Sequence, residues 1–405
     1  MAAGGRRLCD EVQSNRGPDF ASYTVLKEVS RLLRSRQSLN IFNLASQPLA
    51  RKEYCGRLMV ERIKVVQYGL GPIGVGIIEV LLSRPWVQLV GAVDIDRAKV
   101  GKDVGQLLPN PRNTGVLVTD KVSSVLRSSR PDVVTHATSS YMKTIHPQLI
   151  EILDHGSSVV STAEELSYPF AKYPELANDL DEHAKRKNVV VLGTGVNPGF
   201  LLDTLVVALS GACQKVNSIR AERVVDASRR RLPLQKKIGA GMSPAEFKKK
   251  AADGSIKHVG LPESVGLVSL AMGWKVGEIQ ERITPVIAEK EVQSDFITVQ
   301  AGAVAGVRQV AKGILAGQEL VVLDLRMYLG APNPHDSVLI DGIPPVDMTI
   351  RGGIQGDSAT PAIIVNSIPR LKKLEPGLRT MLDLPPITPR LDLSAEDRSV
   401  TLKTF

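Results

Sequence analysis

Two stretches of this 405-residue chain combine residue types and spacings that could do chemistry. The first is Gly69-Leu70-Gly71-Pro72-Ile73-Gly74, three glycines at the spacing of a dinucleotide-binding turn. The first glycine permits the tight turn, the second lets a pyrophosphate approach the backbone, and the third lets helix and strand pack closely. Pro72 and Ile73 open the helix, whose free N–H groups and partial positive charge suit phosphates. Asp94 lies 20 residues beyond Gly74, where a carboxylate can accept hydrogen bonds from the adenosine ribose. Asp94, with Ile95 and Asp96 after it, favours NAD by repelling a 2′-phosphate; Arg97 could swing round to hold one, which leaves NADP open.

The second stretch is Ser161-Thr162-Ala163-Glu164-Glu165. Thr162 and Glu165 have the spacing of a capping box, in which Glu165 would reach back to the Thr162 N–H. Glu164 would then be free to face the crevice, and it is the preferred acid/base, with Glu165 the alternative. A carboxylate desolvated beside a nicotinamide has its pKa raised toward usable values. Two further loops close strands on the same side: Ala137-Thr138-Ser139-Ser140, where the nicotinamide half would lie, and Gly193 to Phe200. Thr162 and Asn197 join the coenzyme-binding candidates; Pro198, Phe200, Arg223 and His258 are the substrate candidates. His258 sits in a polar stretch between two helices, where a lone histidine is more often a satisfied residue than a catalytic one. The other histidines lack metal-ligand spacing, so no metal is expected.

These loops need strands and helices to hold them. Ile63–Tyr68 reads as a first strand, Pro72 to about Ser83 as a helix, and Val87–Val93 as a second strand. Asp132–Thr135, Ser158–Ser161 and Val189–Leu192 read as further strands, with Leu149–Leu153 on a helix between them. Strands alternating with helices indicate an α/β protein with a Rossmann-type, doubly wound parallel sheet. After Gly199 the pattern changes to a second, α+β domain: a strand at Ser218–Val225, the basic stretch Arg229–Gly241, and helices at Ala245–Ala251 and Glu263–Met272. Long antiparallel strands follow at Ile297–Val310 and Glu319–Tyr328, and an apolar helix at Thr360–Ile368 returns to the first domain. The expected division is a 1–60 extension, a 61–200 dinucleotide domain, a 201–350 substrate domain, a 351–385 returning helix and a 386–405 tail.

Composition excludes several classes of function. At 43% hydrophobic and 23% charged the chain is ordinarily globular, and no segment approaches the roughly eighteen apolar residues of a membrane span. The formal charge of +9 is uneven, because 10 basic against 5 acidic residues up to Val60 put +5 in that segment. With only 4% aromatic residues to stack on bases, no nucleic-acid partner is expected. Cys9, Cys55 and Cys213 form neither a disulfide framework nor a zinc pattern, which fits a reducing cytoplasm. Met1–Arg57 is Arg-rich and Ser-bearing like a transit peptide, but it carries Asp10, Glu11, Asp19, Glu28 and Glu53; a start of translation at Met59 is the other expectation.

From about Ile63 to Pro369 the chain resembles the native amine dehydrogenases and 2,4-diaminopentanoate dehydrogenases, relatives of dihydrodipicolinate reductase. The resemblance rests on Val159 to Pro169, Gly193 to Phe200, Pro233-Leu234-Gln235-Lys236-Lys237, Asn333-Pro334-His335-Asp336 and Gly352 to Thr360. It implies a homodimer that reversibly deaminates a small-molecule amine or diamino acid to a ketone plus ammonia, passing hydride to NAD(P). It maps the family's glutamate, which polarises the amine or activates water, to Glu164, and it places Phe200, Arg223 and His258 in the substrate pocket. The rival enzymes fit less well: the His-His and Lys signature of dihydrodipicolinate reductase is absent, and the Glu-Lys-Pro of sugar-type oxidoreductases reads Glu164-Glu165-Leu166 here. A rival of another class is a non-catalytic redox sensor that binds NAD.

Overall fold

The computed structural model describes residues 62–389. The expected N-terminal extension and most of the expected tail lie outside the described residues. The chain begins with β1 (Ile63–Tyr68), α1 (Pro72–Leu82), β2 (Val87–Val93), β3 (Val118–Thr119), α2 (Val122–Ser129), β4 (Val133–His136), α3 (Met142–Asp154), β5 (Ser158–Ser161), α4 (Pro174–Lys187) and β6 (Val190–Gly193). There follow α5 (Thr204–Ser210), β7 (Lys215–Asp226), α6 (Leu232–Lys237), α7 (Pro244–Ala252), α8 (Leu261–Ala271), β8 (Glu278–Ile287), β9 (Val292–Gln293), β10 (Thr298–Val299), β11 (Val304–Leu315), β12 (Gln318–Tyr328), β13 (His335–Ile343) and β14 (Val346–Arg351). The chain then returns through α9 (Gly356–Leu371) to β15 (Gly377–Arg379).

The first sheet has seven strands in the order β15-β6-β5-β4-β1-β2-β3, every neighbouring pair parallel. Its central strands are largely apolar because both faces are covered. Val66, Val134, Val159 and Val191 face α3 and α4, while their neighbours Val65, Val133, Val160 and Leu192 face α1 and α9. The sequence order reverses between β1 and β4, and a crevice opens there at the carboxyl ends of the strands. The loops after β1, β4, β5 and β6 therefore converge on it.

The second sheet has six strands in the order β14-β13-β7-β12-β11-β8. Its apolar face, including Ile219, Ala221, Val307, Leu323 and Val338, packs with Phe247 of α7 and Leu261, Val265 and Val268 of α8. The long strand expected over Ile297–Val310 is instead β10, a turn and β11, because Gly302 at φ +83° reverses the chain there. β11 and β12 are antiparallel, but β12 meets β7 in parallel, so the sheet is mixed. The basic stretch after Arg229 contains the short α6, and β15 adds an edge strand to the first sheet.

Candidate active site

The glycine turn has the geometry its spacing implies. Gly69 adopts φ +93°, and a Cβ there would sit 2.3 Å from the Ala137 carbonyl oxygen. A Cβ on Gly74 would lie 1.9 Å from the Gly69 carbonyl oxygen, so helix and strand close only on glycine. A Cβ on Gly71 would meet nothing within 4 Å, because that side faces open space. Gly71 caps α1 without a side-chain hydrogen bond, leaving the first N–H groups of the helix for a ligand. Gln67, buried below, pins the turn by donating to the Gly69 carbonyl at 2.8 Å and accepting from Thr135 Oγ1 at 2.7 Å. An open cradle ringed by glycines and uncapped N–H groups fits a dinucleotide pyrophosphate.

A cavity of about 320 Å³ runs from this turn toward the second sheet. Gly71, Pro72, Ile73 and Gly74 line one end; Ala137, Thr138, Ser139, Ser140 and Thr162 form a wall; Glu164, Asn197 and Pro198 lie beyond. Arg223, His258 and, from the basic stretch after Arg229, Arg230, Arg231 and Lys237 close the other end. Gly69 lies behind the turn. Asp94, Ile95 and Arg97 lie outside this cavity, at the adenosine end of the turn. Asp94 braces the turn: its Oδ2 accepts the Leu70 N–H at 2.6 Å and its Oδ1 the Asp96 N–H at 2.8 Å. Ile95 is 82% exposed.

The expected capping box does not form. The turn after β5 is a short 3₁₀ segment over Glu164–Leu166, and the Thr162 N–H goes to the His136 carbonyl at 2.9 Å. Glu165 points the other way and is 1% exposed. Its carboxylate accepts from the Met142 N–H at the start of α3 (2.7 Å), from Lys172 Nζ (2.5 Å) and from Tyr173 (3.1 Å). A buried carboxylate needs such partners, and a helix N-terminus supplies one without a countercharge. Glu165 is thus committed to structure, and Glu164 is the carboxylate in the cavity. Burial raises its pKa, opposed by a hydrogen bond from Ser140 and the charge of Lys237.

The loop after β6 carries a cis Asn197–Pro198 bond. Fully buried Asp203 fixes it by accepting from the Gly199 N–H at 2.8 Å and from Ser264 of α8 at 2.7 Å, and Thr360 Oγ1 of α9 accepts from the Val196 N–H at 3.2 Å. Asn197 is buried, yet neither its amide oxygen nor its amide nitrogen has a partner among the described residues. Phe200, expected in the substrate pocket, does not line the cavity; it packs against Val196, Leu201 and Ile363. Apolar bulk at that point is worth more in the core than at a polar rim.

The second sheet contributes the opposite wall. Arg223 has the alternation phase of Ile219 and Ala221, which puts its side chain on the covered face of the sheet. Register sets Asp336 directly across from it, and the two pair at 3.1 Å while Arg223 also donates to the Ile354 carbonyl at 2.6 Å. Arg223 lines the cavity, as expected, and is at the same time held in that pair. His258 is held by its backbone, which exchanges two 2.7 Å hydrogen bonds with the Gln309 side chain. Its Nδ1 is buried and unpartnered among the described residues. Burial, then Lys237 and Arg223, lower its pKa to about 3, so the ring is neutral. Gly260 closes the gap between the walls: a Cβ there would sit 2.4 Å from Pro198 and 3.1 Å from the Glu164 Cβ. Arg230 pairs with Asp357 of α9 at 2.9 Å, and Arg231 with the same carboxylate at 3.6 Å.

Sequence reasoning missed Gln67, Asp203, Gly260 and Asp357, which position the site through contacts across the fold. The Gly352 to Thr360 stretch was the signal that could have led to Asp357. Residues 200–398 match the model of the 2,4-diaminopentanoate dehydrogenase C-terminal domain. The chain is 33% identical over 334 residues to a 2,4-diaminopentanoate dehydrogenase of Acetoanaerobium sticklandii, covering 80% of this chain and 94% of that protein. It is 26% identical to an amine dehydrogenase of Streptomyces virginiae over 80% of this chain and 96% of that one. The solved amine dehydrogenase of Mycobacterium smegmatis superposes with a TM-score of 0.73 at 26% identity, covering 81% of this chain and 97% of that one. The chain belongs to the 2,4-diaminopentanoate dehydrogenase family of NAD(P)-dependent oxidoreductases.

Proposed function

We propose that this protein catalyses the reversible oxidative deamination of a primary amine to a ketone and ammonia, with hydride exchanged with NAD(P). The observation that carries this reading is Glu164: a half-buried carboxylate at a strand end, without an ion-pair partner among the described residues, facing both the glycine-turn cavity and a cationic wall. Bound in that cavity, the coenzyme supplies the hydride acceptor. Thr138, Ser139, Ser140 and Thr162 offer polar contacts along its path, and the amide of Asn197, without a partner among the described residues, has the donor and acceptor a carboxamide needs. Glu164 attracts the substrate ammonium, which gives up a proton so that the free amine can release hydride. It then favours the positive charge that develops at the amine carbon, takes a proton from the water that adds there and returns it to the nitrogen that leaves as ammonia. Its raised pKa makes it a stronger base than an exposed glutamate. Arg230, Arg231 and Lys237 suit a substrate carboxylate, so a diamino acid fits as well as a simple amine. Neutral His258 can orient either without adding charge.

The single free cysteine among the described residues, Cys213, suits a reducing cytoplasm. The face of the second sheet turned away from α7 and α8, with exposed Leu339 among charged residues, suits the homodimer the family resemblance implies. The test is NADH and NADPH oxidation with ammonia and a panel of ketones and keto acids. Consumption with at least one carbonyl compound, dependent on ammonia, supports the reading; coenzyme binding without turnover of any of them overturns it in favour of a sensor.

A further inference from the structure

The loop after β4 and the turn after β5 meet on one buried ring. His136, the last residue of β4, is fully buried, and Tyr68, which precedes the glycine turn, stands edge-on to it at 5.4 Å. The His136 carbonyl accepts the Thr162 N–H, and the ring reaches both ways. Its Nδ1 lies 2.9 Å from Ser161 Oγ; its Nε2 lies 2.8 Å from Gln148 Oε1 of α3 and 2.9 Å from Thr138 Oγ1. Burial lowers the pKa of the ring to about 4, so it carries a single N–H.

The partners decide which nitrogen bears that hydrogen. Ser161 is fully buried, and its Oγ already accepts the Ala163 N–H at 3.1 Å. Its own hydrogen needs an acceptor, and Nδ1 is in place to be one. Nε2 therefore holds the ring hydrogen and donates it toward Gln148 Oε1. Thr138 Oγ1 lies 2.6 Å from the same amide oxygen, so the Thr138 hydrogen is spent there too. The Thr138 methyl is tucked against the glycine turn, where a Cβ on Gly69 would lie 3.1 Å from it. Thr138 thus stands exposed in the cavity wall with a lone pair to offer and no hydrogen.

Resting on the coenzyme reading above, we propose that His136 is a positioning residue. It fixes the Thr138 hydroxyl as an acceptor for a hydrogen-bond donor on the nicotinamide half of the coenzyme, and holds that wall in register with the turn bearing Glu164. The donor is a ribose hydroxyl or the carboxamide NH2.

The experiment titrates the full-length protein with NADH, following coenzyme fluorescence, for the wild type, Thr138→Val, His136→Gln and His136→Asn, with a urea midpoint for each. Glutamine can set an amide N–H where Nε2–H stands; asparagine reaches only the Ser161 side. The wild type binds NADH. Thr138→Val and His136→Asn weaken it about tenfold, and His136→Gln stays within a factor of about three. The double variant Thr138→Val with His136→Asn is no weaker than either single, because both remove one bond. Displacement of NADH by the reduced acetylpyridine coenzyme, which has a methyl group in place of the carboxamide NH2, tells the donors apart. Thr138→Val leaves that analogue unaffected if the carboxamide donates, and weakens it like NADH if the ribose does. Wild-type affinity in Thr138→Val overturns the proposal. So does equal weakening by His136→Gln and His136→Asn, which would make the ring a brace of the sheet alone. Should the His136 variants not fold, Gln148→Met on half-buried α3 makes the same cut: it frees the Thr138 hydrogen and weakens NADH, and unchanged affinity there also overturns the proposal. A wild type that binds no NADH ends the coenzyme reading, and this proposal with it.

Discussion

The two ends of the cavity are built from different materials. The coenzyme end is backbone: Gly69, Gly71 and Gly74 make space and expose N–H groups, with Gln67 and Asp94 bracing the turn from behind. The catalytic end is side chain: Glu164, in the turn after β5, faces Lys237 of α6, Arg223 of β7 and His258 of the segment before α8, across the closely apposed Pro198 and Gly260. A backbone site is sensitive to volume and indifferent to modest changes of charge. An electrostatic site is the reverse, because charges act over several ångströms and partners can be swapped for isosteres only at the expense of the field. Substitutions that change charge at constant shape, and shape at constant charge, should therefore separate the two ends.

The largest effect is expected from Glu164→Gln, which keeps the shape and removes the charge. Turnover should fall about 10³-fold, since general acid–base groups contribute 10²–10⁴, while NADH affinity stays unchanged. Steady-state kinetics beside a fluorescence titration checks both, and near-normal turnover would refute the assignment. The same carboxyl sets the pH profile. Burial raises its pKa above the ordinary 4.5, so the acid limb of kcat/KM lies above that value. Lys237 favours the charged form, so Lys237→Met should move the limb further up.

Arg223→Met comes next, and it probes stability. Asp336, 3% exposed, would lose its ion-pair partner, leaving a buried carboxylate held by the Ile354 N–H but without a countercharge. Such a loss costs about 3–5 kcal/mol, read as a lower urea midpoint. A variant that keeps its midpoint but loses substrate affinity would make Arg223 a ligand after all. Glu263 is a milder case. It is 5% exposed at the start of α8, and burial first, then the charges of Glu165 and Glu281, push its pKa up to about 7 against the attraction of Lys172. Its folded pKa is above its unfolded value of 4.5, so its contribution is fully present below pH 4.5 and is lost as pH rises to about 7. The wild type should lose on the order of 2–3 kcal/mol across that window, and Glu263→Gln should flatten the loss.

The same division of materials decides how much could be read from sequence. Gly69 to Gly74 is contiguous, its roles follow from steric rules, and the strand before and helix after it are strongly patterned. Ser158–Ser161 and Val87–Val93 were legible for a similar reason: most of their residues are apolar and buried or half-buried, and glycine, serine or aspartate bounds them. β13 and β14 carry polar residues on an open face, and β15 has three residues, so none gave a signal. Glu165 shows where local reasoning stops. Its spacing from Thr162 is that of a capping box, but the partners that claimed it, Met142, Lys172 and Tyr173, are set by the packing of α3 against the turn. Arg223 is parallel: its phase in β7 said that it is buried, and only the register with β13 said with what.

The smallest effect expected is also the cleanest test of the backbone end. Gly71→Ala adds one methyl group where nothing lies within 4 Å, and the backbone there has φ −64°, which alanine adopts freely. The folded protein should therefore keep its urea midpoint. The methyl would stand where the coenzyme pyrophosphate must approach the N–H groups of α1, so NADH and NADPH should both bind about tenfold more weakly, roughly 1.4 kcal/mol. kcat at saturating coenzyme should hardly change, because Glu164 and the cationic wall are untouched. Loss of midpoint together with affinity would mean that the space beside Gly71 is needed by the fold. Unchanged affinity would move the pyrophosphate elsewhere, and with it the contrast between a cradle made by absent side chains and a catalytic end made by charged ones.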